Sequence, residues 1–257
     1  MKQVKDFILV NNQRINPAYS RLTLKPADGE RLSEIHPGQF VQVAVDTKNV
    51  FLRRPISIND VDVENATIDL LIRNAGKGTE ALINKNEGDI INILFPLGNG
   101  FTTDAPAGAR MLLIGGGVGV APLLYLGKVL RENGFKPEFL LGARSEKDLL
   151  ELEDFKAVGE VHICTEDGSV GTKGLVTAHP VMQEKLFRYY CCGPAPMMKA
   201  IAKIAYANGT ECEVSLENMM ACGLGACLCC VEKTVKGNVC VCTEGPVFNI
   251  EKLTWDR

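Results

Sequence analysis

The chain has 257 residues, which is enough for two compact domains or for one domain with additions. Hydrophobic residues make up 46% and charged residues 23%, shares that are typical of a soluble globular protein. A formal net charge of −3, without a block of Lys and Arg, excludes a basic surface for nucleic acid. The apolar runs are too short or too rich in glycine for a signal peptide or a membrane span. We therefore expect a cytoplasmic protein that binds neither nucleic acid nor a membrane.

The first hundred residues are predicted to form strands. Short runs of β-branched and aliphatic residues alternate with turn signals such as Pro37-Gly38, and no helical periodicity competes with them. This pattern is typical of an antiparallel β-barrel with one buried face, which we assign to residues 1–102. The predicted strands are Lys5–Val10, Tyr19–Lys25, Gln39–Val45, Ile56–Asp60, Ala66–Arg73 and Asp89–Phe95.

Strands and helices alternate after a predicted linker at Pro96–Pro106. Such alternation predicts a parallel sheet with crossover helices, which is an α/β nucleotide-binding domain over residues 103–210. Residues 211–257 are predicted to form a third segment, with one strand at Glu211–Leu216. The α/β strands are predicted at Arg110–Ile114, Glu138–Leu141, Val161–Thr165 and Tyr189–Cys192, and the helices at Ala121–Glu132, Asp148–Val158, Gly174–Lys185 and Pro196–Asn208.

The last segment is unusually rich in cysteine. Seven of the ten cysteines lie there, and a disulfide framework does not fit a long chain without a signal peptide. Cys222, Cys227 and Cys230 have the spacing C-x4-C-x2-C, which is that of plant-type [2Fe–2S] ligation. Gly223 and Gly225 can adopt positive φ, so the backbone can turn its N–H groups toward a cluster.

The fourth ligand is open between two residues. Cys240 and Cys242 alternate along a predicted strand and share a face, so their spacing does not separate them. A zinc site is the alternative, because Cys227 and Cys230 also form a legitimate zinc half-site. The glycine-rich first arm and the single residue between Cys240 and Cys242 favour iron–sulfur. Cys229 is predicted to be a packed thiol.

Two motifs in the barrel suit a phosphate-bearing cofactor. Arg54 in Arg54-Pro55-Ile56-Ser57 can pair with a pyrophosphate, and Ser57 can reach a flavin ring nitrogen. Gly76-Lys77-Gly78-Thr79 precedes a short predicted helix, Thr79–Ile83, whose first amides suit an anion. Each motif alone is also explained by an ordinary turn, and their occurrence together favours binding.

Two further motifs lie at strand ends in the α/β region. The turn Gly115–Pro122 stands between a strand and a helix, which is the context of a phosphate-binding turn, although it departs from G-x-G-x-x-G. Cys192-Gly193-Pro194 ends another strand, at the sheet edge where ligands bind. The alternative for Cys192 is an inert core thiol. Arg144, near the end of the second strand, can accommodate a 2′-phosphate, so these residues do not separate NAD from NADP.

In this order the four motifs resemble those of ferredoxin–NADP reductase-like flavoproteins. The cysteine segment, with its ending Cys242-Thr243-Glu244-Gly245-Pro246, resembles that of the electron-transfer subunits of dihydroorotate dehydrogenase B. The resemblance covers essentially the whole chain. It implies the cluster ligands Cys222, Cys227, Cys230 and Cys242. It also implies FAD contacts at Arg54, Pro55, Ile56, Ser57, Leu71, Ile72, Arg73, Gly78 and Thr79, and NAD contacts at Gly115, Gly116, Gly117, Val118, Gly119, Ala121, Cys192, Gly193 and Pro194.

The same resemblance implies a place in an electron-transfer complex. The partner would be an FMN-containing catalytic subunit of dihydroorotate dehydrogenase, in a heterotetramer with two copies of each subunit. Electrons from dihydroorotate would pass through FMN, the [2Fe–2S] centre and FAD to NAD+, with Cys192 near the nicotinamide. The alternatives are a subunit of a related sulfhydrogenase or of an NADH-dependent ferredoxin–NADP oxidoreductase, and, in another class, a zinc-stabilised nucleotide-binding regulator without enzymatic activity.

Overall fold

The structure is a computed structural model that describes residues 2–255. Its contacts divide the chain into two compact units. The barrel unit contains residues 2–100 together with Asn218–Glu232 and Cys240–Pro246, and the sheet unit contains Phe101–Glu217, Lys233–Val239 and residues 247–255. Each of the two units therefore includes part of the range predicted as a separate third segment, residues 211–257.

The barrel unit is a closed six-stranded antiparallel barrel with the strand order β1-β2-β5-β4-β3-β6. Its interior is apolar, and Phe7 and Phe95 meet edge to face with ring centroids 5.1 Å apart. A short helix, α1 (Lys77–Ile83), follows β5. The strands are β1 (Gln3–Asn16), β2 (Tyr19–Pro26), β3 (Phe40–Val43), β4 (Arg54–Asp62), β5 (Thr67–Arg73) and β6 (Ile90–Leu97).

The sheet unit contains a seven-stranded sheet of order β10-β9-β8-β7-β11-β12-β15, parallel except for β15. Strands β7 and β11 are buried along their whole length, as expected of central strands covered on both faces. The strands are β7 (Met111–Gly116), β8 (Pro137–Ala143), β9 (Glu160–Thr165), β10 (Thr172–Lys173), β11 (Arg188–Cys192) and β12 (Glu211–Ser215), and the helices are α2 (Ala121–Glu132), α3 (Leu152–Val158) and α4 (Ala195–Asn208).

The C-terminal region adds short elements. β13 (Val231–Thr234) and β14 (Gly237–Cys240) form a two-stranded sheet, and a single turn of helix, α5 (Val241–Glu244), follows them. β15 (Val247–Asn249) then pairs antiparallel with β12 at the edge of the large sheet. Within residues 2–255, no helix combines the length and the hydrophobicity that crossing a membrane requires.

The predicted architecture of a barrel followed by a parallel sheet is confirmed, but one predicted helix is wrong. Gly174–Lys185 forms two 3-10 turns, Val176–Ala178 and Pro180–Gln183. Proline has no N–H and cannot continue a helix from the preceding residues, so Pro180 begins a new turn.

Several element boundaries also differ from the prediction, among them the start of one helix and the end of one strand. α3 begins at Leu152 rather than at Asp148, because Glu151 has left-handed backbone angles that interrupt the helix. Pro96 lies in β6 rather than in a linker.

Candidate functional site

The first two cysteines of the cluster motif form one thiol pair. We call Met219–Cys230 the cysteine loop. The backbone N–H of Leu224 donates to Sγ of Cys222 at 3.3 Å. The N–H groups of Leu224 and Cys227 together hold the pKa of the Cys222 thiol down to about 6, and the Cys227 thiol adds to the effect. The lowered pKa favours the thiolate of Cys222, which is the form that binds metal.

Cys230 and Cys242 form a second, buried pair. The N–H of Cys242 donates to Sγ of Cys230 at 3.4 Å, and the N–H of Gly225 donates to Sγ of Cys242 at 3.1 Å. Burial, together with the neighbouring Cys230 thiol, raises the pKa of the Cys242 thiol to about 12. A thiolate at this position therefore needs a cation beside it.

Two thiol pairs fit a binuclear cluster. A [2Fe–2S] centre is held by four thiolates, two on each iron, whereas a structural zinc gathers four ligands around one ion. The structure groups Cys222 with Cys227 and Cys230 with Cys242, and Cys240 also contacts Cys230. The donor set and its grouping thus fit the iron–sulfur interpretation better than the zinc alternative.

Cys240 differs from Cys242 in the direction of its hydrogen bond. Sγ of Cys240 donates to the carbonyl oxygen of Gly225 at 3.8 Å, a contact that only the protonated thiol can make, whereas Sγ of Cys242 accepts the N–H of Gly225, a contact that the thiolate can also make. Burial also raises the pKa of the Cys240 thiol, together with the nearby Cys230. Cys229 is exposed, so the prediction that it is a packed thiol is wrong. The chain turns at Leu228, which has a positive φ of 56°, and leaves Cys229 at the surface.

The glycines of the cysteine loop have the predicted positive φ, 70° at Gly223 and 81° at Gly225. Both lie against side chains of the same unit. A Cβ on Gly225 would be 3.0 Å from Cγ2 of Thr243, and one on Gly223 would be 2.9 Å from Cγ of Gln42. The loop can therefore fold this closely only with glycine at these positions.

Asn99 holds the second cysteine arm and was not singled out from the sequence. Its Nδ2 donates to the carbonyl oxygens of Thr243 and Glu244, each at 3.1 Å, and its backbone N–H donates to the Gly245 carbonyl at 2.6 Å. An asparagine two residues beyond a strand reads as a turn residue, so no local pattern identifies this role.

The two anion motifs of the barrel unit come together. A Cβ on Gly78 would be 2.5 Å from Nε of Arg54, so the guanidinium lies directly over the first turn of α1. Thr79 closes this turn: its Oγ1 accepts the N–H of Ala75 at 2.9 Å and donates to the carbonyl of Gly76 at 3.0 Å. A fixed cation beside free helix amides suits a pyrophosphate.

The other predicted FAD residues lie on the strands beside this group. Pro55, Ile56 and Ser57 are half-buried on β4, and Arg73 is exposed at the end of β5. Leu71 and Ile72 are buried in the barrel core, which leaves their backbone for contact with a ligand.

The two motifs of the sheet unit also pack against each other. Gly115 and Cys192 are register partners on the adjacent parallel strands β7 and β11. A Cβ on Gly119 would be 2.5 Å from the carbonyl oxygen of Cys192 and equally close to Cα of Gly193. Two backbone turns thus meet at the carboxyl ends of the strands, where open α/β sheets bind ligands.

Around this contact the predicted NAD residues differ in accessibility. Gly117 and Val118 are half-buried, and Pro194 is exposed. Cys192 is only 2% exposed, and burial raises the pKa of its thiol well above the ordinary value. Cys192 is therefore a neutral thiol in this structure.

An ion-pair network lies at the opposite, amino-terminal ends of β8 and β9. Arg110 binds Glu138 through Nε and Nη2 at 2.7 and 2.8 Å, and Nε2 of His162 lies 3.5 Å from Oε2 of Glu138. Glu138, Glu160 and His162 are the one group in the described residues with three possible metal-ligand atoms within 4.8 Å of one another. Since Arg110 already neutralises Glu138 in a bidentate pair, we interpret the network as structural.

Two family domains match the chain. Residues 217–254 match the iron–sulfur cluster binding domain of dihydroorotate dehydrogenase B, and residues 113–203 match the oxidoreductase NAD-binding domain. The first range includes the six cysteines of the cluster region described above, and the second includes both turns of the sheet unit.

Solved structures show the same fold. A structure of an NADH-dependent reduced ferredoxin–NADP oxidoreductase, described for flavin-based electron bifurcation, has a TM-score of 0.87 and 30% identity, covering 97% of this chain and 90% of that one. The flavohaemoglobin-like FAD/NAD binding domain of a Vibrio cholerae nitric oxide dioxygenase has a TM-score of 0.70 at 20% identity, covering 82% and 98%, which shows the fold alone. The predicted fold and the iron–sulfur, FAD and NAD cofactors are confirmed.

Curated relatives align over most of their length. The electron transfer subunit of dihydroorotate dehydrogenase B (NAD(+)) from Lysinibacillus sphaericus is 42% identical over 247 residues, covering 93% of this chain and 94% of the relative. The subunit of the same name from Caldanaerobacter subterraneus is 44% identical over 225 residues, covering 85% and 87%. The chain therefore belongs to the family of electron-transfer subunits of dihydroorotate dehydrogenase B (NAD+).

Proposed function

We propose that this chain is the electron-transfer subunit of an NAD-dependent dihydroorotate dehydrogenase and serves pyrimidine biosynthesis. The observation that carries the proposal is the grouping of four thiols as two pairs, in a chain that also holds both nucleotide motifs. When bound, the [2Fe–2S] centre carries single electrons, and FAD converts them into the hydride that NAD+ accepts.

The cysteines proposed as cluster ligands are Cys222, Cys227, Cys230 and Cys242. Cys242 is preferred to Cys240 because its sulfur accepts the N–H of Gly225, a contact that stabilises a thiolate. Cys240 instead donates to a carbonyl and is left as a neighbouring thiol. The backbone amides of the cysteine loop then stabilise negative charge on the sulfurs.

The barrel unit is proposed to hold FAD through two kinds of contact. Arg54 and the first amides of α1 at Gly78 and Thr79 neutralise the pyrophosphate. The half-buried strand residues Pro55, Ile56 and Ser57, the backbone of Leu71 and Ile72, and Arg73 line the rest of the site. The proposal is supported by the close approach of Arg54 to Gly78.

The sheet unit is proposed to hold NAD at its two facing turns. Small residues would let the dinucleotide approach the backbone of both turns, and the neutral thiol of Cys192 would lie near the nicotinamide. The residues concerned are Gly115, Gly116, Gly117, Val118, Gly119, Ala121, Cys192, Gly193 and Pro194.

The chain is further proposed to act in the cytoplasm with an FMN-containing catalytic subunit, in a heterotetramer with two copies of each. The cysteine loop supports a docking role because it exposes three apolar side chains: Met219 is 84%, Leu228 65% and Leu224 49% exposed. Clustered exposed apolar residues mark interaction surfaces.

A second candidate function is favoured by the match to the ferredoxin–NADP oxidoreductase structure, at a TM-score of 0.87. It would place the same cofactors in an NADH-dependent ferredoxin–NADP oxidoreductase. The curated relatives, at 42 to 44% identity, favour the dihydroorotate dehydrogenase assignment over this one.

One experiment separates these functions. The chain is co-expressed with a dihydroorotate dehydrogenase catalytic subunit, purified, and assayed for dihydroorotate-dependent reduction of NAD+. We expect co-purification, a flavin and iron–sulfur visible spectrum, and turnover that is lost with Cys222→Ser but kept with the exposed control Cys229→Ser. A colourless zinc protein, or activity with reduced ferredoxin and none with dihydroorotate, would overturn the assignment.

A further inference from the structure

Gln42 is a fully buried glutamine whose side chain has no hydrogen bond. It lies on β3 with 0% exposure, and both Nε2 and Oε1 lack a partner in the structure. Its backbone is satisfied, because its carbonyl accepts Nη1 of Arg53 at 3.1 Å. Buried amides are almost always hydrogen-bonded, so this side chain calls for an explanation.

The surroundings do not explain it as a structural core residue. Its register partners on the neighbouring strands, Leu94 and Pro55, have no side-chain group that can hydrogen-bond to it. A methionine or leucine would fill the same volume without leaving two polar atoms unpaired.

The carboxamide lies against the first arm of the cysteine loop. A Cβ on Gly223, the residue after Cys222, would be 2.9 Å from Cγ and 3.4 Å from Nε2 of Gln42. The N–H donors of Gln42 are thus next to the segment that carries the first thiol pair, Cys222 and Cys227. Within the described part of the chain, the protein itself supplies no acceptor for these donors. A sulfur of a cluster held by this segment would be such an acceptor.

Resting on the proposed function, we propose that Gln42 is a positioning residue for the [2Fe–2S] centre. Its Nε2–H group donates a hydrogen bond to a sulfur held by the Cys222–Cys227 arm. The reduced centre carries one more negative charge than the oxidised centre, so this donor stabilises the reduced form and raises the reduction potential.

The first test is the reduction potential of the cluster in the Gln42→Met variant of the whole complex, followed by EPR. Methionine keeps the volume and removes the donors. We expect the equilibrium constant for one-electron reduction to fall about tenfold, which is a potential about 59 mV lower. An unchanged cluster potential, or a shift of the FAD potential alone, would overturn the proposal.

A matched control is Gln39→Met, because Gln39 is also a buried glutamine, immediately before β3. Its Oε1 accepts the N–H of His36 at 2.8 Å and its Nε2 donates to the carbonyl of Gly98 at 2.9 Å, so its amide is already satisfied. We expect this variant to lose stability and to keep the cluster potential. Equal potential shifts in both variants would count against a specific role for Gln42.

A second measurement does not depend on whether a variant folds. The native complex is labelled with 15N in glutamine side chains, and the reduced cluster is examined by pulsed EPR for a 15N coupling. We expect a 15N coupling in the native protein and in the Gln39→Met variant. If the native protein showed no such coupling, the proposal would be overturned. If no [2Fe–2S] signal appears at all, the proposed function fails instead, so the two failures are distinguishable.

Discussion

The guanidinium of Arg54 lies directly on Gly78, so closely that a Cβ on this glycine would come within 2.5 Å of Nε. Arg54 is the first residue of β4, and Gly78 lies in the first turn of α1, which follows β5. The fold thus brings a guanidinium and helix N–H groups together at one point. Gly78 has ordinary helical angles, so the glycine is required for space rather than for backbone conformation.

Gly78→Ala is therefore expected to weaken FAD binding without destabilising the apoprotein. Alanine favours a helix over glycine by about 1 kcal/mol, whereas its Cβ displaces Arg54 from the phosphate position. We expect the dissociation constant for FAD to rise about tenfold, measured by flavin fluorescence. Glu80→Ala, at an exposed site on the same helix, is the control and should leave FAD affinity unchanged; an equal loss there would contradict the explanation.

Serine substitutions are expected to separate the two cysteines that compete for the fourth ligand. Cys242→Ser should lose or alter the cluster, because the oxygen replaces a buried sulfur that accepts the Gly225 N–H. Cys240→Ser should keep the native EPR spectrum and iron content, because this thiol already acts as a hydrogen-bond donor. The reverse result, with iron lost only in the Cys240 variant, would reassign the ligand.

Local sequence patterns predicted most of the fold because its elements have strong periodicity. The helix Ala121–Glu132 has its predicted bounds, and all six barrel strands were located with shifts at their ends. The wrong helix at Gly174–Lys185 has helix-compatible composition, but Pro180 determines its geometry.

The residues that local patterns missed depend on distant partners. Gln42 alternates with valines on β3, a pattern that predicts a polar side chain facing solvent. In the structure Gly223, which is 181 positions further along the chain, lies against this side chain. Asn99 likewise binds Thr243 and Glu244, far away in sequence. No pattern within β3 or in the turn after β6 contains this information, whereas the spacing of Cys222, Cys227 and Cys230 is itself local.

Gly119→Ala is expected to weaken nicotinamide-dinucleotide binding. The new Cβ would be 2.5 Å from the Cys192 carbonyl oxygen and from Cα of Gly193, so the two turns must separate. Overpacking of this kind costs about 1–3 kcal/mol. We expect the KM for NADH in a diaphorase assay to rise about tenfold, for about 1.4 kcal/mol, with kcat less affected.

The control for Gly119→Ala is Gly108→Asn in the same unit. A Cβ there meets no atom within 4 Å, and asparagine tolerates the positive φ of 75°. This variant should keep the native KM. If Gly119→Ala also kept it, the facing turns would not form the dinucleotide site.

The stability of the sheet unit is expected to fall below neutral pH through His179. Burial lowers the pKa of His179 from its ordinary value of 6.5, the nearby His162 lowers it further, and Glu184 opposes both. The folded state therefore binds fewer protons than the unfolded state between the two pKa values. The contribution of neutral His179 is fully present above the unfolded value and is lost as the pH falls through the lower folded value.

His179→Asn tests this expectation, because an amide oxygen can replace Nδ1 as acceptor of the Val181 N–H, which is 3.2 Å away. The free energy of unfolding in urea is measured at about pH 7.5 and about pH 5.5. We expect the decrease between these two pH values to be smaller in this variant than in the native protein. His36→Asn, at an exposed site in the barrel unit, should retain the native pH dependence. An unchanged pH dependence in His179→Asn would show that His179 does not carry the acid sensitivity.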